Sequence, residues 1–431
     1  MTWPVVVVGG GLAGALVARA LDRRGVGVAV VDAGEEPGGI SVPIRLDGYL
    51  LEPAAGTLML PHPHLSELLD GLDIGLRPAT PASRTRLIYH RGRVHAAPGS
   101  VPSFLMSGLL SPAAKLRAAA EVFAPARLDP DESLTKFMKR RFGREAGELG
   151  AWLAAAGVHA GDPERLSVGA AFPMLESLEQ QQGSVVRALA TRRSTRDRPR
   201  PESWVVEGGM ASVASGIADT MGDRWRRSFH VGGLTRSNGH WSIDGPERLE
   251  AERVVLAVDT ASAGHLLGQP TAGMLARCES SPVAVVWLGL STPLPDAIGI
   301  LVGPDDGFGT LGFLFESVYA PQRSPGGRGL VKAIVGGACR PEALEQSDEH
   351  LVAQVATELG LVLGSAPAVE MAHVVRHRRG IPQYTSERAG IVSALPLTLP
   401  RGVSLAGWEY DGVGLSHLAT AAATLASRLS A

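Results

Sequence analysis

A chain of 431 residues, 45% hydrophobic and 19% charged, carries apolar material for two or three domains, or for one large α/β body with an inserted unit. Its 41 basic and 43 acidic residues leave a net charge of −2, which excludes wholesale attraction to nucleic acid, and 53 Gly with 30 Pro fall short of a disordered composition. The two cysteines, Cys278 and Cys339, lie too far apart for a disulfide framework or a CxxC redox or zinc motif, and Met1-Thr2-Trp3-Pro4 lacks the basic start and cleavage pattern of a signal peptide.

In chain order, Pro4 to Val8 is a short β-branched run, read as a buried parallel strand. Gly9-Gly10-Gly11-Leu12-Ala13-Gly14 follows at once. Ala15 to Arg24 reads as a helix ended by Gly25, and Val28 to Val31 is a second buried strand that ends at Asp32. Strand, GxGxxG, helix, strand and acid in this order form a dinucleotide-binding unit. Gly9 permits the tight turn, Gly11 lets the backbone approach a pyrophosphate, and Gly14 lets the helix pack on the strand. Gly11, Leu12, Ala13 and Gly14 lead into the helix, whose N-terminus presents free N–H groups and the positive dipole end to phosphate. Asp32 is expected to accept hydrogen bonds from the adenosine ribose. Gly38-Gly39, six residues past the acid, resembles the FAD-binding fold of the glutathione-reductase and amine-oxidase type, in which a glycine pair continues the cradle around the diphosphate. No second GxGxxG follows in a strand–helix context. A separate NAD(P)H domain is therefore not expected, and electrons would come from the substrate itself.

Further on, Leu50-Leu51-Glu52 is an apolar lead into Pro53-Ala54-Ala55-Gly56. Arg86 to Val94 reads as a hairpin turning near Gly92. The uncharged stretch from Ala96 to Ala114 holds Pro98, Pro102, Pro112, Gly99 and Gly108, which makes it a poor membrane span. Residues 103–200 are mostly helical in pattern. Ala113 to Phe123 is one helix with Leu116, Ala119, Ala120 and Phe123 on one face, and Ser133 to Phe142 is another. Arg192 to Arg200 is a basic linker, read as a solvated loop. Gly208-Gly209-Met210 opens a helix over Ala211 to Met221. Phe229-His230-Val231 and His240 to Ile243 are expected to pair as strands. Arg253 to Val258 is a buried strand, and Val283 to Leu288, Gly299 to Val302 and Leu330 to Val335 suggest a separate antiparallel sheet. Ser404 to Gly407 is a last strand, and Gly412-Val413-Gly414-Leu415 opens a closing helix. His62 with His64, and His373 with His377, have ligand-like spacings, but no metal site is expected. Only four residues are lysines: Lys115, Lys136, Lys139 and Lys332.

Several segments, in order along nearly the whole chain, resemble the protoporphyrinogen and coproporphyrinogen oxidase family. They are Arg86 to Arg93, Asp131-Glu132-Ser133-Leu134 with Phe142-Gly143, Ala160 to Ser167, Phe172-Pro173-Met174-Leu175, Ile334-Val335-Gly336-Gly337, Gly380 to Tyr384, and Gly412 to Leu415. The resemblance implies an α/β fold with three parts. The first is a discontinuous Rossmann-like FAD-binding domain (residues 1–85, 205–275 and 386–431). The second is a helical domain facing a membrane or a dimer partner (95–200), and the third an antiparallel substrate domain (276–385 with 86–94). It implies an FAD-dependent oxidase of protoporphyrinogen or coproporphyrinogen in haem synthesis, acting by successive hydride transfers to flavin N5 with molecular oxygen as acceptor. The flavin carries the chemistry, so no catalytic side chain and no metal is called for. Gly9, Gly11, Leu12, Ala13, Gly14, Asp32, Gly38 and Gly39 would hold the ADP half of FAD, Val231 would pair with adenine by its backbone, and Gly412, Val413 and Gly414 would face the flavin's N1–C2=O edge. Arg86 matches an arginine near the substrate propionates, and Leu301, Leu314 and Ile334 match an apolar pocket. A surface charge and an ordinary sheet core are the alternatives for these four. The resemblance also implies a cytoplasmic protein that can lie on the inner face of the membrane, without nucleic-acid partners, and able to form a homodimer. Four places depart from the family pattern: Ile40, Ala54-Ala55-Gly56, Trp408 and Ser416-His417. Trp408, in the cofactor region, leaves open an oxidase for a different amine or unsaturated metabolite, or a non-catalytic binding protein.

Overall fold

Val5, Val6, Val7 and Val8 are all buried, as a parallel strand covered on both faces requires. They belong to Thr2–Val8, which pairs in parallel with Val28–Val31 on one side and Leu249–Leu256 on the other. The computed structural model describes residues 2–127, 129, 131–192 and 200–430, and two seven-stranded sheets organise them. The first sheet runs Trp225–Arg226, Val28–Val31, Thr2–Val8, Leu249–Leu256, His240–Asp244 and Gly233–Ser237, with Val403–Leu405 paired in parallel to Leu249–Leu256. The helices Leu12–Asp22, Ala211–Met221 and Leu415–Ser430 cover one face through Ala15, Leu16, Val213, Ile217, Leu418 and Ala422. Helix Ser386–Thr398 supplies Ile391 and Leu395 to the other face.

The second sheet orders Val369–Pro382, Ser280–Leu290, Gly329–Gly336, Thr310–Phe315, Gly299–Val302, Arg86–His90 and Arg93–Ala96. All neighbours are antiparallel except Gly299–Val302 with Arg86–His90, which run parallel. One face is sealed. Ile300, Phe313, Phe315, Ala333 and Val335 pack there with Leu351, Val355 and Leu359 of helix Asp348–Leu363. A three-stranded sheet of Leu58–Leu60, Glu202–Val206 and Leu76–Pro78 lies outside both.

Between the hairpin ending at Ala96 and Glu202, the described residues are largely helical. This segment is tied by buried charge. Arg141 is fully buried, and its guanidinium bonds the carboxylates of Glu121 and Glu179 and the carbonyls of Ala124 and Gly183. Glu121 in turn accepts from the backbone N–H groups of Val185 and Val186 and from the Ser184 hydroxyl, so one carboxylate organises the start of Val185–Arg192.

Two expectations are corrected. Ala113 to Phe123 is not one helix: Pro112–Ala119 passes into a 3-10 turn, Ala120–Phe123. Glu121 takes the inward position to meet Arg141, and so the apolar side goes outward. Leu116 is 74% and Phe123 86% exposed, with Ala119 and Ala120 exposed beside them. Phe229 to Val231 is not a strand either. The Phe229 N–H donates to Asp32 O and the Gly232 N–H to Asp244 O, and the partner of His240–Asp244 is Gly233–Ser237. Asn238-Gly239, both at positive φ, make the two-residue hairpin loop. Residues 193–199 of the expected basic linker lie outside the described residues.

Candidate active site

The glycine motif folds as a cradle because its backbones touch. A Cβ on Gly14 would stand 1.9 Å from Gly9 O, so only glycine lets helix Leu12–Asp22 start this close to the strand. Gly38 returns beside the first loop: its N–H donates to Gly10 O at 2.9 Å, and it bridges to Gly11. Its φ is +124°, and a Cβ there would stand 2.6 Å from the Ala211 Cβ. Gly11 is the N-cap of the helix and provides no side-chain cap. The first N–H groups of the helix therefore have no side-chain cap, the arrangement that helix N-termini offer to anions. Asp32 is partly buried, and its carboxylate takes the backbone N–H groups of Gly34, at 2.6 Å, and of Gly10. It shapes the loop itself. Val231 packs against the core of the same sheet, one residue before Gly232 bonds Asp244 O. Gly39 begins the short 3-10 turn Gly39–Ser41. These residues fit a dinucleotide diphosphate without any side-chain cation.

The loop carrying Trp408, Gly412, Val413 and Gly414 is held from below. Tyr384 donates its hydroxyl to Trp408 O, and the buried Arg388 bonds both Glu409 O, at 2.5 Å, and the Glu409 carboxylate. The Gly407 N–H donates to Asp411 Oδ2 at 2.8 Å. Gly412 and Gly414 adopt φ of +104° and +103°, which turns Val413 into the start of Leu415–Ser430. Trp408 is partly buried against the core cluster that contains Leu12 and Ala13. A cleft of about 350 Å³ borders the loop, lined by His159, Tyr384, Arg388, Tyr410, Gly412 and Val413. His159 is packed edge-on to Phe172, and burial lowers its imidazole pKa to about 4.

The strand register places Arg86, Leu301, Leu314 and Ile334 on one face of the second sheet. Arg86 pairs with Gly299, Gly299 with Leu314, Leu314 with Lys332 and Lys332 with Trp287, which makes one cross-strand row. The next row is Ile88, Leu301, Gly312, Ile334 and Val285. Paired residues share a face. Leu301, Leu314 and Ile334 are each partly exposed, whereas Ile300, Phe313 and Ala333 on the sealed face are buried. Apolar side chains are thus left partly open at mid-sheet, beside the side-chain-free positions Gly299 and Gly312. Arg86 stands exposed at one end of its row, roughly 14 Å from Lys332 at three strand spacings. Helix Arg144–His159 crosses the Leu301 end. Its Trp152 Nε1 donates to Val302 O at 2.9 Å, and Ala156 packs in the same cluster as Ile334.

Lys332 and the cluster around it carried no role in the sequence reading. Glu52, Glu316, Arg323 and Lys332 are all buried where the two sheets meet. Glu52 Oε1 accepts from the Met210 N–H at 2.9 Å and from Arg323 Nη2 at 3.1 Å. Arg323 Nη1 bonds Glu316 at 3.2 Å, and Tyr319 donates its hydroxyl to Glu316 at 3.1 Å. Glu52 Oε2 and Glu316 Oε2 have no hydrogen-bond partner among the described residues. Burial therefore dominates, and pushes the Glu52 carboxyl up to about 7 against the pull of Arg323. Burial likewise lowers the Lys332 ammonium. Of the histidines with ligand-like spacing, His62 accepts from the Leu65 N–H and caps Pro63–Leu69, and His377 meets Pro53 O at 3.0 Å.

Comparison with known proteins identifies the family. Residues 12–412 match the model of the family described as flavin containing amine oxidoreductase. The protoporphyrinogen oxidase of Homo sapiens is 29% identical over 96% of this chain and 95% of its own length. The coproporphyrinogen III oxidase of Bacillus subtilis is 25% identical over 95% of this chain and 94% of its own. A solved structure from Exiguobacterium sp. 255-15, provisionally called a protoporphyrinogen oxidase, superposes with a TM-score of 0.83 at 20% identity, covering 100% of this chain and 99% of that one.

Two outcomes follow from the site. Gly38→Ala forces a Cβ into Ala211 at an unfavourable φ, and is expected to weaken FAD binding to the apoprotein about tenfold or more, read by fluorescence titration. Glu52 has a folded-state pKa above its unfolded value, so its contribution to stability is complete below about 4.5 and is lost as pH rises through about 7. Urea unfolding of wild type and Glu52→Gln should therefore diverge across that window. The wild type should lose on the order of 3 kcal/mol relative to the variant, and parallel profiles would contradict the buried carboxyl.

Proposed function

Since the chain belongs to the flavin-containing amine oxidoreductase family and is an FAD-dependent oxidoreductase, we propose that it oxidises a porphyrinogen, protoporphyrinogen or coproporphyrinogen, to the corresponding porphyrin. The observation that carries this reading is the row structure of the second sheet. Arg86, Leu314, Leu301 and Ile334, far apart in sequence, share one face as an apolar floor with a cation at its edge. A flat, largely apolar macrocycle with carboxylate arms matches such a surface. FAD supplies the two-electron acceptor when bound.

The protein's own part is binding and orientation. The start of helix Leu12–Asp22, with Gly11 and the returning Gly38, holds the diphosphate, and Asp32 offers its carboxylate to the ribose. Val231 stands beside this sheet for the adenine, and the Val413 turn supplies backbone donors for the ring edge. Leu301, Leu314 and Ile334 give the macrocycle an apolar bed and exclude water from its bridging carbons. Arg86 pairs with a carboxylate arm. Dioxygen is the proposed final acceptor.

The helical segment offers a surface for peripheral contact with the inner face of a membrane. Met106, Leu116 and Phe123 are 88%, 74% and 86% exposed, which is unusual for large apolar side chains in a segment this well packed. Among the described residues no helix is long and apolar enough to cross a membrane. An exposed apolar face fits lying on the surface.

The holoprotein, given a colourless porphyrinogen in air, is expected to produce a fluorescent porphyrin. A reducible bound flavin with no such conversion would overturn the substrate assignment. Arg86→Ala should raise KM about tenfold, the scale of one charge-assisted hydrogen bond, and leave kcat near wild type. In flotation with anionic liposomes, wild type should rise with the lipid and Leu116→Asp/Phe123→Asp should stay below. Identical behaviour would reject the membrane surface.

A further inference from the structure

Lys332 interrupts an otherwise apolar strand, Gly329–Gly336, and is 3% exposed. Its cross-strand neighbours are Leu314 and Trp287, and Ile334 is the next residue on the same face. The side chain thus rises from the same face of the sheet as the proposed substrate residues. Its ammonium donates to Glu52 O and to Ala54 O, both at 2.6 Å.

Two more side chains from the second half of the chain grip the same turn. Arg323 Nη2 donates to Gly56 O at 2.5 Å, and His377 Nε2 meets Pro53 O at 3.0 Å. Four of the five carbonyls from Glu52 to Gly56 are therefore bound by side chains of the second sheet and its adjoining turn. On its other side, the Glu52 carboxylate holds the Met210 N–H, and the next residue, Ala211, lies against Gly38 of the cradle. One continuous line of contacts leads from the cradle through Met210, Glu52 and Lys332 to Leu314 and Ile334.

Burying an ammonium is costly unless its donors are used. An apolar side chain would serve the packing of the strand at less cost. What an apolar side chain cannot do is bind two carbonyls of one turn at once. We propose that Lys332 is a positioning residue for the oxidation. It holds the Glu52–Gly56 turn as the wall between cradle and floor, and so sets how a bound substrate meets the bound flavin. This rests on the reading of the apolar face as the substrate floor.

The test uses the FAD-loaded protein and three variants, Lys332→Met, Lys332→Arg and His377→Phe. Lys332→Met should broaden the vibronic structure of the visible flavin band, because the loosened wall admits water; this reading needs no substrate. It should also slow anaerobic flavin reduction by porphyrinogen about tenfold to a hundredfold, with KM near wild type. Lys332→Arg, which keeps donors for the carbonyls, should recover much of the rate. His377→Phe frees only Pro53 O, and should shift band and rate in the same direction by less. A folded Lys332→Met with the wild-type band and rate would overturn the proposal. If Lys332→Met does not fold, an unchanged His377→Phe would overturn it. Should porphyrinogen fail to reduce the wild-type flavin, the substrate reading falls, and the flavin band still decides the role of Lys332.

Discussion

A carboxylate without water, Glu52, is the constraint at the joint of this molecule. The two large sheets have separate apolar cores, and apolar packing alone leaves their relative placement loosely specified, because such contacts have little direction. Charged groups taken out of water are directional, since each must find its partner or cost several kcal/mol. Glu52 finds Met210 N–H on the cradle side and Arg323 on the other. Lys332 then fastens the adjoining carbonyls to the middle of the second sheet. The joint is under-satisfied, with one oxygen of each buried carboxylate unpartnered among the described residues. Its geometry is held by the surrounding fold rather than by ideal pairing.

Much of the nucleotide unit was legible from residue order alone, because its rules are local. A β-branched run, a glycine spacing and a helix signal lie within forty residues. The structure gives strands Thr2–Val8 and Val28–Val31 with helix Leu12–Asp22 between them. Gly208-Gly209-Met210 likewise marked the start of Ala211–Met221. The errors came where tertiary contacts overrode local pattern. Phe229 to Val231 looked like a strand, yet the Phe229 N–H goes to Asp32 O and the Gly232 N–H just beyond goes to Asp244 O. Asn238-Gly239 was the signal that placed the hairpin one step later. The helix expected over Ala113 to Phe123 changed character because Glu121 was claimed by Arg141, twenty residues on.

The candidate substrate face lay at the edge of what sequence carries. Arg86, Leu301, Leu314 and Ile334 came from resemblance, and nothing in their local pattern says that they are neighbours. Their rows depend on the register of four strands, one of them paired in parallel from a hairpin more than 200 residues away. Lys332 did leave a trace: a single charge at alternate spacing with Leu330 and Ile334 in a buried run, in a chain with four lysines. Its partners are backbone carbonyls, which no side-chain motif announces. The exposed side of the Ala113 to Phe123 segment was legible as amphipathic but not in its direction, since only the buried Glu121–Arg141 pair decides which side faces in.

A glycine cradle and a partly open apolar sheet face are thus fixed to one another by a buried turn, and a flavin bound in the cradle is expected to stand between them. The most direct measurement is the visible absorption of the FAD-loaded protein mixed anaerobically with protoporphyrinogen, and separately with coproporphyrinogen. The account predicts that at least one of them bleaches the flavin band within a single turnover while porphyrin absorbance appears in step. A flavin that stays oxidised with both, yet bleaches with an amine, would contradict the assignment of the apolar floor to a tetrapyrrole.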